Sequence, residues 1–508
     1  MFFALRGLNK VTIGRKIAHL SMLCRGKAIT RDELFSYTNG RFLADEKDQL
    51  ERRYVNFDLE ALCETAAAAG DGASSQIMSV EKFEGGFSKA FLMKKENGVE
   101  VIAKIPCRIA GPALLTTGAE VGALNYDFSW SSDSSNPVGS EYIIMEKAAG
   151  VPLYQQWGEM TELEKLRLIK DLTKLEAQLS SVSFPAYGAL YRQSDADGRF
   201  EHVQLGEGID SLKQFCVGRS AIGRFYWTLA PHARLIKGLV RNTISEVGIA
   251  IAKRELSRMS CKLSTRPLPF YHGTTEEKTQ LLKMTLDFMP LLDSHPTLIQ
   301  ASQPRLSHTD LHMGNIFVRP DNKSEIACFI DFQSLLVLPA FLQAQWPLPD
   351  DSEDMDDDDK TLARQEWIQT KLAKAYEVSS YLQNRPGHSA LMIPRVFREL
   401  FTRCGEITEM GIFESWSGLG FSGQCPFSFT MEEREVHERQ FADYKVWHDL
   451  QQQVLECLDT DAEEWVDPRL NFGDVKKRNQ ELLKTYIEQA KGQKTEAEAR
   501  AMWPFPVL

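Results

Sequence analysis

Asp310 and Asn315 stand five residues apart in the run Leu306-Ser307-His308-Thr309-Asp310-Leu311-His312-Met313-Gly314-Asn315. A second carboxylate follows in Ile330-Asp331-Phe332. A hydroxyl is a poor nucleophile at neutral pH, and a carboxylate within hydrogen-bond reach orients it and takes its proton. That is the part Asp310 is fitted for. An amide oxygen and a carboxylate are hard donors of the kind magnesium takes alongside phosphate and water. Asn315 and Asp331 are therefore the candidate metal ligands. Asp331 follows the apolar, strand-like run Ala327-Cys328-Phe329-Ile330, which can return its carboxylate to the loop. Gly314 is expected to permit a tight turn between base and ligand. Asp and Asn are also common in ordinary turns, so this loop gains its weight from what stands upstream of it.

Residues 77–104 read as three strands. The first connection carries Glu84-Gly85-Gly86-Phe87-Ser88-Lys89, where two glycines let the backbone approach phosphate and offer it amide groups. Gly85, Gly86, Phe87 and Ser88 are the candidate phosphate-side residues. Glu96-Asn97-Gly98 is a hairpin turn signal. Lys104, in Val101-Ile102-Ala103-Lys104-Ile105, is the candidate phosphate-binding cation. Lys94 and Lys95 compete with it but lie near the hairpin, where a solvent-facing position is expected. Glu120 falls on an expected helix and is the candidate partner of Lys104; an exposed helix Glu is the plain alternative. Glu141-Tyr142-Ile143-Ile144-Met145-Glu146-Lys147-Ala148-Ala149-Gly150 reads as an apolar strand running into a small, flexible connection.

The order Gly-Gly, Lys, Glu, His-x-Asp, Asn, Asp resembles the kinase fold. The form His308-x-Asp310-Leu311-His312-x-Gly314-Asn315, then Ile330-Asp331-Phe332, is similar to its aminoglycoside and choline phosphotransferase branch. The resemblance covers residues 77–345. It implies an α+β, bilobal, protein-kinase-like fold, with a small β-rich nucleotide lobe and a large, mainly helical lobe. It also implies ATP and Mg2+ as cofactors, and transfer of the terminal phosphoryl group to a hydroxyl of a small molecule. On this pattern Lys104 pairs with phosphate, Glu120 holds Lys104, and Asn315 and Asp331 hold magnesium. The backbone of Glu146 and Ala148 would meet the adenine edge. His308 joins Asp310 in the catalytic loop, as a brace rather than a proton carrier, while His312 is left between bracing and facing substrate. A catalytically weak or inactive ATP-binding scaffold is the rival. A protein kinase ranks third, because no Ala-Pro-Glu segment follows Asp331 and the chain runs instead into Leu335-Leu336-Val337-Leu338-Pro339.

The chain has 508 residues, long for one domain. No apolar run is long enough to cross a bilayer, and the scattered cysteines offer no zinc or disulfide spacing. Residues 1–31 carry seven basic residues and no acidic one, so this leader is +7 and the remainder −18 in a chain of −11. Phe2, Phe3, Leu5, Leu8, Val11, Ile13, Ile17 and Leu20 are interspersed, the pattern of a mitochondrial transit peptide. The alternative is a basic tail on a cytoplasmic protein. The acidic remainder argues against general nucleic-acid binding. The expected organisation is leader 1–31, helical N-terminal extension 32–74, nucleotide lobe 75–147, large lobe 148–345, acidic loop 346–360 and helical C-terminal extension 361–508. Residues 195–300 are an insert-like candidate for the acceptor pocket. Within them residues 213–258 are basic, from Lys213 and Arg219 through Arg224, Arg234, Lys237 and Arg241 to Arg258, which suits either an acidic acceptor or a solvated helix face. Ile249 to Leu256 and the basic leader together resemble a fungal mitochondrial phosphotransferase-like group.

Overall fold

The computed structural model describes residues 20–70, 74–124, 129–220, 240–260, 275–343, 359–402, 404, 416–461 and 464–505. Most of the leader, the acidic run from Asp350 to Asp358, and Arg224, Arg234 and Lys237 of the basic region lie outside the described residues. The fold is α+β, with a β-rich N-terminal unit and a mainly helical second unit. The first compact unit comprises residues up to Thr38, Leu50–Ala113 and Tyr126–Lys147; the second comprises Asn39–Gln49, Leu114–Asn125 and Ala148 onward.

The first unit is built on a seven-stranded sheet. Its centre is the three-strand meander expected from sequence: Ile77–Glu84, Ser88–Lys95 and Glu100–Pro106, followed by Tyr142–Glu146. Gly98, at φ 87°, closes the second hairpin. Side chains alternate across a sheet, and the register sorts the two faces. Val80, Phe91, Met93, Val101, Ala103 and Ile105 form one buried face. The helix Leu59–Ala68 lies on the sheet, with Leu59, Leu62, Cys63 and Ala66 buried and Asp58 capping its first turn. Phe57 meets Phe91 there at a ring separation of 5.4 Å. The other face carries Ala90, Ile102, Lys104 and Met145.

Two sequence expectations need correction in this unit. The expected leader 1–31 includes residues 21–28, yet Ser21–Cys24 pairs in parallel with Ile77–Glu84 and turns through Arg25-Gly26 into Lys27–Ala28. Both turn residues have positive φ, the geometry that matches strand twist in a two-residue hairpin. Lys95 was expected in solvent but is buried; its ammonium donates to the carbonyls of Ala69 (2.5 Å) and Ala67 (3.2 Å) at the C-terminus of the helix Leu59–Ala68. A cation at that end satisfies orphan carbonyls and complements the helix dipole.

In the second unit the helix Glu162–Ser181 packs against Asp359–Gln383. A large apolar core includes Ile251, Phe288, Leu292, Phe341 and Phe397. Residues 114–124, part of the expected nucleotide lobe 75–147, group with this unit. Gly118 and Gly122 let the helix Ala113–Leu124 lie directly on Tyr191 and the Leu190 backbone, where a Cβ at 122 would collide. Arg41–Phe42 pairs with Trp465–Val466, so the C-terminal region holds the segment 39–49. Among the described residues no helix is long and apolar enough to cross a membrane.

Candidate active site

The chemistry-bearing loop hangs between two small sheets of the second unit. The strand Pro304–His308 pairs with Leu335–Pro339, and Ile316–Val318 sits between Ile326–Phe329 and Val151–Pro152. Asp310 and Asn315 lie on the connection after the first of these strands, and Asp331 on the connection before Leu335–Pro339. One hydrogen bond closes the first connection on itself, and two more draw the second to it. Asn315 Nδ2 donates to the Asp310 carbonyl at 2.9 Å, the Ile330 N–H donates to the Asn315 carbonyl at 3.0 Å, and His308 Nε2 meets the Ile330 carbonyl at 2.9 Å. Both backbone groups of Ile330 are thus tied to the loop, and Asp331 is the next residue.

His308 is committed at both ring nitrogens. The Asp310 N–H approaches Nδ1 at 3.3 Å, so Nδ1 accepts and Nε2 carries the proton given to Ile330. That tautomer makes His308 a brace. Asn315 is buried, and its amide nitrogen is spent on Asp310, which leaves its oxygen as the donor atom for a metal. Asp331 adopts φ 64°, ψ 55°, a left-handed conformation that non-glycine residues rarely take. Such strain gathers at functional sites, where surrounding bonds over-determine it. Gly314 does not have positive φ. A Cβ there would lie 2.7 Å from His312 Cε1, so the glycine makes room for that ring, whose Nδ1 accepts the Gly314 N–H at 3.0 Å.

Among the described residues no three His, Cys, Asp or Glu side chains gather as a metal cluster. Two hard oxygens from Asn315 and Asp331 suit a magnesium ion that completes its shell with phosphate and water.

In the first unit, Gly85 and Gly86 are exposed at the tip of the first hairpin, with the Gly85 N–H donating to the Ser88 carbonyl at 3.0 Å; Phe87 and Ser88 are half-buried. Lys104 is buried on the sheet face that also carries half-buried Ala90, Ile102 and Met145. Glu146 ends the last long strand exposed, its neighbour Lys147 pairing with Glu100 at 2.7 Å. Ala148 is the first residue of the second unit. Glu120 is buried in the helix Ala113–Leu124 of that unit. Sequence reasoning passed over Lys82 and Lys89, both fully buried beside Glu84. The signal was there: Lys89 is in phase with Phe91 and Met93 on the buried face.

No protein-family model matches the chain. The chain is 28% identical over 491 residues to the Subtelomeric hrmA-associated cluster protein of Aspergillus fumigatus, covering 83% of this chain and 95% of that one. Its homologues also include proteins named Altered inheritance of mitochondria protein 9, mitochondrial. That of Yarrowia lipolytica is 22% identical over 350 residues, 61% of this chain and 60% of that protein. That of Saccharomyces cerevisiae is 22% identical over 400 residues, 62% and 63%. Among solved structures, the Plasmodium vivax ethanolamine kinase aligns with a TM-score of 0.32 at 10% identity, over 74% of this chain and 83% of that chain. The ADP-bound aminoglycoside phosphotransferase APH(2'')-Ib gives 0.30 at 15%, over 68% and 93%.

Proposed function

We propose that the chain is an ATP-dependent phosphotransferase that moves the terminal phosphoryl group to a hydroxyl of a small molecule. The observation that carries this is the double tie at Ile330, which supports Asp310, Asn315 and Asp331 serving one site. ATP supplies the phosphoryl group, and magnesium neutralises its charge. Asp310 orients the acceptor hydroxyl and holds its proton on a carboxylate oxygen. The Asn315 amide oxygen and the Asp331 carboxylate hold the metal. Lys104 takes the phosphates, and the Gly85–Ser88 turn lies against them. The Glu146 and Ala148 backbone meets the adenine edge. The mitochondrial names of the homologues, with the basic leader, support a mitochondrial location.

The test is thermal stabilisation of the whole protein by ATP, with and without magnesium, in wild type, Asp331→Ala and Asp310→Asn. Wild type should be stabilised only when magnesium is present, and Asp331→Ala should lose that response. Asp310→Asn should keep it while turnover falls by about 10²- to 10⁴-fold. Undiminished turnover would remove Asp310 from its role. Tight ATP binding with no turnover on any acceptor would favour the scaffold instead, and no stabilisation of wild type would overturn the nucleotide site.

A further inference from the structure

The base of the glycine turn is held by a buried charge cluster that the reaction above does not use. Glu84 ends the strand into the turn, Lys89 lies at the start of the strand out, and the two form the last register pair of the hairpin. Lys89 Nζ donates to Glu84 Oε1 at 2.6 Å, and Lys82 Nζ lies 3.1 Å from the same oxygen, all three side chains being at most 2% exposed. The other carboxylate oxygen accepts from the Thr38 N–H and the Thr38 hydroxyl, both at 2.8 Å. Lys82 and Lys89 converge on the Ser36 carbonyl at 2.9 and 3.0 Å, and Lys82 also donates to the Glu33 carbonyl. Both legs of the turn are therefore tied, from the buried side of the sheet, to the single segment 33–38.

Burying two ammonium groups and a carboxylate is costly unless each is fully partnered, and such networks are best attested as devices that fix one arrangement. Burial pushes the Lys82 ammonium's pKa down, and Glu84 beside it pushes it back up. Among the described residues nothing lies within 4 Å of a Cβ built at Gly86.

We infer, resting on the nucleotide reading of Gly85–Ser88, that residues 33–38 are a positioning element of the nucleotide site. Through Glu84 and Lys89 they hold the turn in one arrangement for phosphate, so that little ordering is left to binding. Thr38, Glu84 and Lys89 are positioning residues and touch no substrate.

The experiment uses the full chain. Thr38→Val removes one hydroxyl and keeps its shape, leaving the buried charges in place. Glu84→Gln is the stronger variant. Lys95→Met is the control, because it removes a buried ammonium from the far end of the strand Ser88–Lys95, away from the turn. Amide exchange over residues 83–90 and the ATP–magnesium dissociation constant are read for each. Thr38→Val should speed exchange in 83–90 and weaken ATP about threefold to tenfold, with turnover at saturating ATP unchanged. Lys95→Met should lower the melting temperature and leave both readouts alone. Unchanged exchange in Thr38→Val and Glu84→Gln would overturn the anchoring, whatever ATP does. Loosened exchange with an unaltered ATP constant would overturn the positioning role. Loosened exchange in a protein whose wild type binds no ATP would keep the anchoring and sink the nucleotide reading.

Discussion

At the scale of single residues, the tightest constraint in the loop is the seat of His312. The ring is fixed by the Gly314 N–H, and the space a Cβ would need at 314 is filled by that ring. Because Gly314 has an ordinary φ, alanine costs the backbone little there. Gly314→Ala should therefore leave the melting temperature nearly unmoved and lower turnover about tenfold or more by displacing the imidazole. Equal rates in the two proteins would make the ring's position immaterial. The types and spacing of Asp310, Asn315 and Asp331 were legible because they sit on two nearby connections of one chain segment. The left-handed backbone of Asp331 was not, since conformational strain leaves no mark on residue type. The buried lysines went unseen for a different reason. Lysine was read as solvent-facing by default, and only their phase with Phe91 and Met93 spoke against it.

Among the elements, the pair Glu162–Ser181 and Asp359–Gln383 makes the clearest demand. Thr173 and Ser379 share a 2.6 Å hydrogen bond, and the Tyr376 hydroxyl donates to both oxygens of Glu176 at 2.8 and 3.0 Å. Burial pushes the Glu176 carboxyl up from 4.5 to about 7, against the Tyr376 hydrogen bond that pulls it down. The folded state then holds this proton more tightly than the unfolded chain does. Its contribution to stability is complete below about pH 4.5 and is lost as pH rises through about 7. Glu176→Gln keeps an acceptor for Tyr376 and removes the titration. It should flatten the fall in stability across that window and stabilise the protein at pH 8 by on the order of 1–3 kcal/mol, read from denaturant melts at several pH values. Parallel slopes for both proteins would place the proton elsewhere. Helix starts were legible where a capping box marks them, as at Thr161/Glu164 and Thr430/Glu433. The hairpin Ser21–Ala28 was not, because its basic residues fitted a leader equally well and its sheet partner lies far along the chain.

For the molecule as a whole, the segment 39–49 belongs to a core made mostly by the far end of the chain. Leu43 is buried with Val454, Leu455, Leu458, Val466 and Trp503, and the Trp465 indole donates to the Asn39 carbonyl at 2.7 Å. Ending the chain at residue 460 should uncover that cluster. Soluble yield should fall, and limited proteolysis should cut between residues 36 and 50, where the full chain resists. A truncated protein as soluble and as resistant as the parent would show that the segment holds without its partner. No local pattern announces a two-residue strand whose mate stands more than four hundred positions away, and such pairings are the slowest to form. The pairing of Arg41–Phe42 with Trp465–Val466 also bears on how the protein is made. A ribosome releases the first strand more than four hundred residues before its mate, so the nascent chain carries an unfinished apolar surface while everything between them is made. Any product that stops short keeps that surface exposed, and a prematurely ended chain would advertise its own defect to the proteases and chaperones that police new proteins.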